Sequence, residues 1–404
     1  MKYDKPLKIL MLASSYPRSK EDSASIFLRH LVESLSQRGI KVHVLAPGDK
    51  EHGTRVEGDI YVHRFRYFSK CLQKLAYGSG ILPNLSQNRW LWIEVPFFLA
   101  AMTFSLLRLI SKEHPNLIHA HWVLPQGLIA VFAKCFFKTP IITTAHGGDA
   151  FALGGSLLRK LKRFVLHMSD AWTSNTHATA VAFGDADSLP QPHIIPIGVD
   201  VRYFGDGCRS TLRSDLPSDE LLVLFVGRLV EKKGVDDLLT AFSLLPAEVR
   251  ARTTLWVVGD GEYRGTLQHY ADTLGIKNKL RFWGRISNNR LPDFYAAADL
   301  FVAPSVEALS GDTEGQGVVL LEAFAARLCV LATSIGGIPE VVDNGYTGVL
   351  VEPRNPQQLS AAMEKLLRNG RLRSELADNA FAKVKNYDWE KIAKDFEDLY
   401  REVS

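Results

Sequence analysis

The stretch EGQGVVLLE, residues 314–322, sets Glu314 and Glu322 eight positions apart. Gly315, Gln316 and Gly317 follow the first acid, and an aliphatic run precedes the second. In one continuous helix the two carboxylates would lie about 12 Å apart along the axis, at 1.5 Å per residue. Two interior glycines would each cost such a helix about 1 kcal/mol. The pattern therefore reads as a loop at Gly315–Gly317 and a helix beginning near Val318. Glycines let backbone N–H groups approach a ligand, and a helix N-terminus favours a phosphate. Glu322 then sits one turn inside, placed to accept hydrogen bonds from a pair of hydroxyls. Glu314 lies on the other side of the phosphate site. Two hydroxyl-rich groups joined by phosphates describe a nucleotide sugar. An isolated pair of glutamates at this spacing would ordinarily be two solvated side chains around a turn.

This pair is not isolated. VGRLVEKKG places Arg228 just after an apolar strand and Lys233 five residues further on, before Gly234. Both would project from the carboxyl end of that strand, where two cations could neutralise a departing diphosphate. On its own, the same pattern is a common strand-end surface.

The elements that must position these groups alternate in a regular way. Residues 7–13 are a continuous apolar run, IFLRHLVESLSQRG has helical spacing ending at Gly39, and KVHVLAP is the next strand. Such strand–helix–strand units build parallel sheets. The rhythm continues through NLIHAH, IITTAHG, AWTSN and HIIPIG, pauses at LPQPHIIPIGVDVRYFGDG, and restarts with LLVLFVGR, TLWVVGDG, LRFWG, LFVAPS, CVLATS and GVLVEP. The expectation is an α/β protein of two successive doubly wound domains. Such sheets bind ligands beyond the carboxyl ends of their strands. The last segment, DWEKIAKDFEDLYREV, has the spacing of an amphipathic helix.

Composition narrows the class. The 404 residues are 46% hydrophobic and 23% charged, which fits a soluble globular protein of two domains. Four cysteines, Cys71, Cys135, Cys208 and Cys329, show no metal-ligand spacing and point to a reduced, cytoplasmic setting. Residues 1–205 hold 24 Lys+Arg against 15 Asp+Glu, a net of +9, and the remainder 24 against 29, a net of −5. A basic half suggests an anionic partner. No cationic run is dense enough to make nucleic acid that partner. The apolar start, about seven residues long, reads as a buried strand rather than a leader. WLWIEVPFFLAAMTFSLL, residues 90–107, approaches the length of a membrane span but contains Glu94 and Pro96, so a buried helix with an exposed apolar end is the expectation.

Taken together, TTAHGGDAF, IPIGVD, VGRLVEKKG, VVGDGE, FWGRI, YAAADLFVAPS, EGQGVVLLEAFAA and SIGGIPEVVDNGYTGVLVEP, in this order, resemble the retaining, nucleotide-sugar-dependent glycosyltransferases of family 4. The resemblance runs over nearly the whole chain. It implies the GT-B fold: two Rossmann-like doubly wound domains facing a central cleft, with the C-terminal helix crossing back to the N-terminal domain. The expected boundaries are 1–200, 201–385 and 386–404. The resemblance makes Arg228 and Lys233 the holders of the donor diphosphate, Glu322 that of the ribose hydroxyls, and Glu314 the contact to the transferred sugar. Backbone groups of Gly315, Gln316, Gly317 and Val318 would complete the site, with Arg285 and Ile286 near the base. His146 would reach over the donor sugar. Asp149 is a further acceptor-side candidate, and His119 and His121 either line the acceptor side or pack. The implied donor is a UDP- or GDP-sugar, transferred with retention. No cofactor or metal is expected to be required.

Two departures stand out. The first loop, often carrying paired glycines in this family, reads DSASIF, and Arg327 stands where a helix-ending glycine would be. A left-handed backbone there would cost stability. GDGEYRG at 259–265 imitates a dinucleotide loop but lacks the acid about 20 residues on. The DAD triplet at 185–187 imitates metal-binding acids but lies in a polar loop. The rivals to sugar transfer are a nucleotide-sugar 2-epimerase and a catalytically silent sugar-binding subunit. HRFRYFSKCLQKLAYGSG, residues 63–80, interleaves cations and aromatics ahead of the apolar stretch. The two together point to an anionic membrane surface and a lipid-linked glycan acceptor in bacterial envelope synthesis.

Overall fold

The computed structural model describes residues 6–19, 22, 24–49, 52–69, 72–78, 80–151, 154–184, 188–207, 212–213, 216–217 and 219–404. Ser23, Cys71, Cys208 and the DAD triplet lie outside them. The chain divides into two compact units, Met1–Pro196 with Trp389–Ser404, and Ile197–Asp388.

The first unit is built on strands β1 (Lys8–Leu12), β2 (Lys41–Pro47), β3 (Gly53–Glu57), β4 (Ile60–Phe65), β5 (Leu117–His121), β6 (Ile141–Ala145), β7 (Ala171–Ser174) and β8 (His193–Ile194). They form one sheet in the order β3-β4-β2-β1-β5-β6-β7-β8. Neighbours are parallel except at the β3–β4 hairpin. Strand β1, from the apolar start, is buried over Ile9–Leu12. The hairpin has no counterpart in the parallel reading of the sequence. Every residue of β3 is exposed, so it carries none of the apolar signal that marks an interior strand.

The helix Ile26–Gln37 ends as its sequence requires. Gly39 takes φ 80, and the N–H groups of Gly39 and Ile40 close on the carbonyls of Ser36 and Leu35. The terminal helix Trp389–Val403 belongs to this same unit. There Arg38 Nε donates to Glu397 Oε2 (2.6 Å), and Tyr400 is fully buried.

The 90–107 stretch forms a short 3-10 turn, Arg89–Ile93, and the helix Glu94–Glu113. Phe98, Met102, Leu106, Leu109 and Ile110 pack into the core of the first unit. Glu94 is buried and accepts the backbone N–H groups of Lys74 and Leu75. The opposite face stays exposed along its length, not merely at one end.

The second unit contains β9 (Leu221–Val226), β10 (Thr253–Val258), β11 (Leu280–Gly284), β12 (Leu300–Ala303), β13 (Val330–Thr333) and β14 (Val349–Val351). Their order is β11-β10-β9-β12-β13-β14, all parallel. Leu222, Leu224 and Val226 enter one core cluster while Val223 and Phe225 enter the other. Burial on both faces explains why β9 reads as an unbroken apolar run. Strand β9 lies between β10 and β12, where the winding reverses, and ligands of such sheets gather beyond the carboxyl ends at that point.

Arg327 does take the left-handed conformation, φ 52, at the end of the helix Val318–Ala325. A non-glycine residue there costs about 1–2 kcal/mol. Its guanidinium lies 3.9 Å from the Phe381 ring centroid and pairs with Asp378 at 2.9 Å. Such exposed contacts return about 1 kcal/mol. Arg327→Gly should therefore match the wild type within about 0.5 kcal/mol, whereas Arg327→Ala, which keeps the strain and loses both contacts, should cost about 1 kcal/mol. Urea unfolding of the two variants checks the difference.

Candidate active site

In the second unit the sequence motifs meet at the carboxyl ends of β9 and β12. Gly317, at φ 77, caps the helix Val318–Ala325, so the loop and helix start fall where the glycines placed them. Lys233 Nζ donates to Glu314 Oε2 in a close ion pair, each side chain 14% exposed. Burial alone would push the Glu314 carboxyl up. The charges of Lys233, Lys232 and Arg228 outweigh it and hold the group below its ordinary range. Lys233, Ser305, Glu314, Gly317 and Ile338 line one small concavity.

Glu322 stands one turn inside the helix and accepts the Tyr295 hydroxyl on Oε2 at 2.6 Å. Burial pushes its carboxyl up to about 6, and the Tyr295 hydrogen bond and the Lys233 charge only partly offset this. Arg228 is exposed just beyond β9. Arg285 and Ile286 follow β11, two strands away from β9. Arg285 is exposed, and Ile286 packs against the core.

Several supports escaped the sequence reading. Lys232 donates to Asp312 Oδ1 (2.9 Å) and to the Thr313 carbonyl (3.1 Å), tying down the loop that carries Glu314. The side chain of Gln316 points away from the ligand loop. Its amide donates to the Ile197 carbonyl (2.9 Å) and accepts the Ile197 N–H (2.7 Å), which leaves only its backbone for a ligand. Gly336, at φ 55, passes so close that a Cβ there would sit 2.1 Å from the Glu314 carbonyl oxygen. Gly337 N–H bonds that same oxygen at 3.0 Å. Tyr295 carried no signal in the sequence, since it sits in the helix LPDFYAA, Leu291–Ala297, 27 residues before the carboxylate it meets.

The first unit gathers the other candidates at the carboxyl ends of β5 and β6. Asn175 Nδ2 donates to His146 Nδ1 (3.4 Å), which leaves the His146 proton on Nε2, facing His121 Nδ1 at 3.3 Å. His121 in turn carries its proton on Nε2, a buried atom without a hydrogen-bond partner among the described residues. His119 is engaged at both nitrogens, with Tyr400 Oη at 2.7 Å and Thr144 Oγ1 at 2.6 Å. Burial holds His146 and His119 down to about 3, and His121 well below its usual value, so all three rings are neutral at physiological pH. Asp149 Oδ2 accepts the backbone N–H groups of His146 (3.1 Å) and Val123 (3.2 Å), and burial pushes its carboxyl up to about 7. It shapes the loop that presents His146.

The altered first loop meets this cluster. Ser25 holds a left-handed φ of 51, the conformation a glycine would take freely, and its hydroxyl lies 2.6 Å from that of Ser15. Phe27, two residues on, sets its ring edge against His146.

A chain of this architecture, with acids, cations and a capped helix at the switch point of a parallel sheet, has the layout of a sugar-transferring enzyme. Comparison with known proteins gives the family. The description "Glycosyl transferases group 1" matches residues 211–383, and "Glycosyltransferase Family 4" matches residues 24–203. The chain is 33% identical over 412 residues to the uncharacterized glycosyltransferase MJ1607 of Methanocaldococcus jannaschii, covering 98% of each. It is 26% identical over 424 residues to the putative teichuronic acid biosynthesis glycosyltransferase TuaC of Bacillus subtilis, covering 98% of this chain and 99% of that one. Among solved structures, Anabaena HepE in complex with UDP and glucose superposes with a TM-score of 0.75 at 20% identity, covering 98% of this chain and all of that one. The protein belongs to glycosyltransferase family 4 and has the GT-B fold.

Proposed function

We propose that the protein moves a hexose-type sugar from a UDP- or GDP-sugar to a hydroxyl of a lipid-linked glycan in the building of the bacterial cell envelope. The observation that carries this reading is the Lys233–Glu314 pair beside Glu322 at the start of one helix. It supplies positive charge for a diphosphate, flanked by a carboxylate for each hydroxyl-bearing end. The bound UDP and glucose of HepE and the polymer named for TuaC support the donor class and the envelope setting.

In the proposed reaction the acceptor oxygen bonds the anomeric carbon as the bond from that carbon to the diphosphate oxygen breaks. The electron pair leaves with the diphosphate, whose charge Arg228 and Lys233 neutralise. The acceptor proton passes to a diphosphate oxygen on the same face, so the anomeric configuration is retained. Glu314, already paired with Lys233, orients the sugar rather than attacking it. Gly315–Val318 offer backbone N–H groups to the phosphates, Arg285 and Ile286 border the base, and His146 contacts the transferred sugar. No metal enters this scheme. Unpaired Cys135 and Cys329 fit a reduced, cytoplasmic setting.

Thermal unfolding with UDP, GDP, ADP and their sugars, all in EDTA, tests the reading. At a hundred times Kd one nucleotide should add about 2.7 kcal/mol of stability, a rise in Tm of several degrees. The absence of any rise would overturn the metal-free donor site.

A further inference from the structure

The segment Arg89–Glu113 is long and apolar enough to cross a membrane, with a mean hydropathy of 1.7 over its best window, of which only 28% is buried. It cannot cross one. Phe98, Met102, Leu106, Leu109 and Ile110 on one face are part of the core of the first unit, and a spanning helix would have to withdraw them. What remains is the other face. Ile93, Phe97, Ala100 and Phe104 recur at spacings of four, three and four, which places them on one stripe. Phe97 and Phe104 are 50% and 68% exposed, and Trp90 and Trp92 at the head of the helix are 79% and 60% exposed. A soluble protein does not ordinarily leave so many large apolar side chains together in water.

The surrounding charge says what covers them. Between Ile60 and Lys112 the sequence has a single carboxylate, Glu94. It is buried and bonded to backbone N–H groups, so it contributes no exposed negative charge. Among the described residues of the same stretch the exposed charges are Arg66, Lys74, Arg89, Arg108 and Lys112, all positive. Arg66 bonds the carbonyl of Phe68, whose ring meets Phe97 edge-on, and Arg108 follows Phe104 by one turn. A second copy of this chain would bring like charges together. An anionic lipid surface satisfies both parts: aromatic rings at the headgroup boundary and cations at the phosphates.

We propose that Trp90, Trp92, Ile93, Phe97 and Phe104 form an interfacial docking stripe that lies in the plane of an anionic membrane, with Arg66, Lys74, Arg89 and Arg108 as its electrostatic rim. The stripe deepens the lipid-linked acceptor reading above and rests on it for its purpose. The docking itself does not depend on activity.

Flotation of the full chain with vesicles of phosphatidylcholine alone, or with 30% phosphatidylglycerol, is the test. Binding should require the anionic lipid and fall at high salt. The variant Trp90→Ser/Phe97→Ser/Phe104→Ser should float at least tenfold less. It changes only exposed side chains, so its Tm and its stabilisation by nucleotide should match the wild type. No binding of the wild type, undiminished binding of the variant, or self-association that the same variant abolishes would each overturn the stripe. A wild type that gains stability from nucleotide yet fails to float would sink the docking alone. One that floats yet gains nothing from any nucleotide would sink the donor reading alone.

Discussion

Lys233→Ala should lower sugar transfer at least tenfold, and by about a hundredfold if the ammonium acts on the departing diphosphate as a preorganised charge. The same change should weaken the fold, for a separate reason. Glu314 keeps its charge in a site of little water contact because Lys233 pairs with it. Removing one member of such a pair leaves a carboxylate poorly solvated, a loss of about 2–3 kcal/mol. The two effects can be separated. In Lys233→Met/Glu314→Gln both charges are gone, so most of the lost stability should return while transfer stays low. Lys232 cannot substitute, since Asp312 and the Thr313 carbonyl already hold its ammonium. Transfer assays and chemical denaturation of the single and double variants read the two effects independently. Near-normal turnover of Lys233→Ala would show that the diphosphate lies elsewhere.

The contrast between Lys233 and Lys232 shows where the sequence stops being legible. Both follow the same strand in EKK; the motif resemblance names Lys233, but that Lys233 pairs with Glu314 while Lys232 turns to Asp312 is visible only in the fold. Strands β9, β10, β12 and β13 were readable because burial on both faces gives unbroken apolar runs. The loop and helix start at Gly315–Val318 were readable because two glycines do not belong inside a helix. The hairpin β3–β4 was not, because β3 is an exposed edge whose residues are free to be polar. Tyr295 and Gly336 were hidden for another reason. Each reaches a catalytic candidate across the sheet, from 27 and 22 residues away in sequence, to Glu322 and Glu314 respectively. Spacing along the chain cannot report such a contact. The left-handed cap at Arg327 lay between these cases, since its position was marked by the helix end and its φ by the structure alone.

Glu322→Gln should make the unliganded protein more stable and the enzyme worse. The wild-type carboxyl titrates at about 6 in the fold, against 4.5 as its ordinary value. A raised carboxyl pKa means that the ionised form is disfavoured by folding. Its contribution is therefore absent below pH 4.5, grows as a destabilisation between 4.5 and 6, and is complete above 6. At 1.36 kcal/mol per unit the cost at pH 7.5 is at most about 2 kcal/mol. The amide has no such term, so Glu322→Gln should exceed the wild type by up to that amount at pH 7.5 and match it at pH 4.5. Transfer should fall at least tenfold, mainly through the donor KM. The carboxylate offers a second oxygen beside the one that accepts from Tyr295, and the amide offers none. The wild type's own donor affinity should weaken as pH drops through about 6. Tyr295→Phe removes a bond that holds the Glu322 carboxyl down, so it should move that midpoint upward. Equal stability of the wild type and Glu322→Gln at pH 7.5 would mean that water reaches this carboxylate freely. Unchanged donor affinity in the variant would mean that the hydroxyl pair is held by another group.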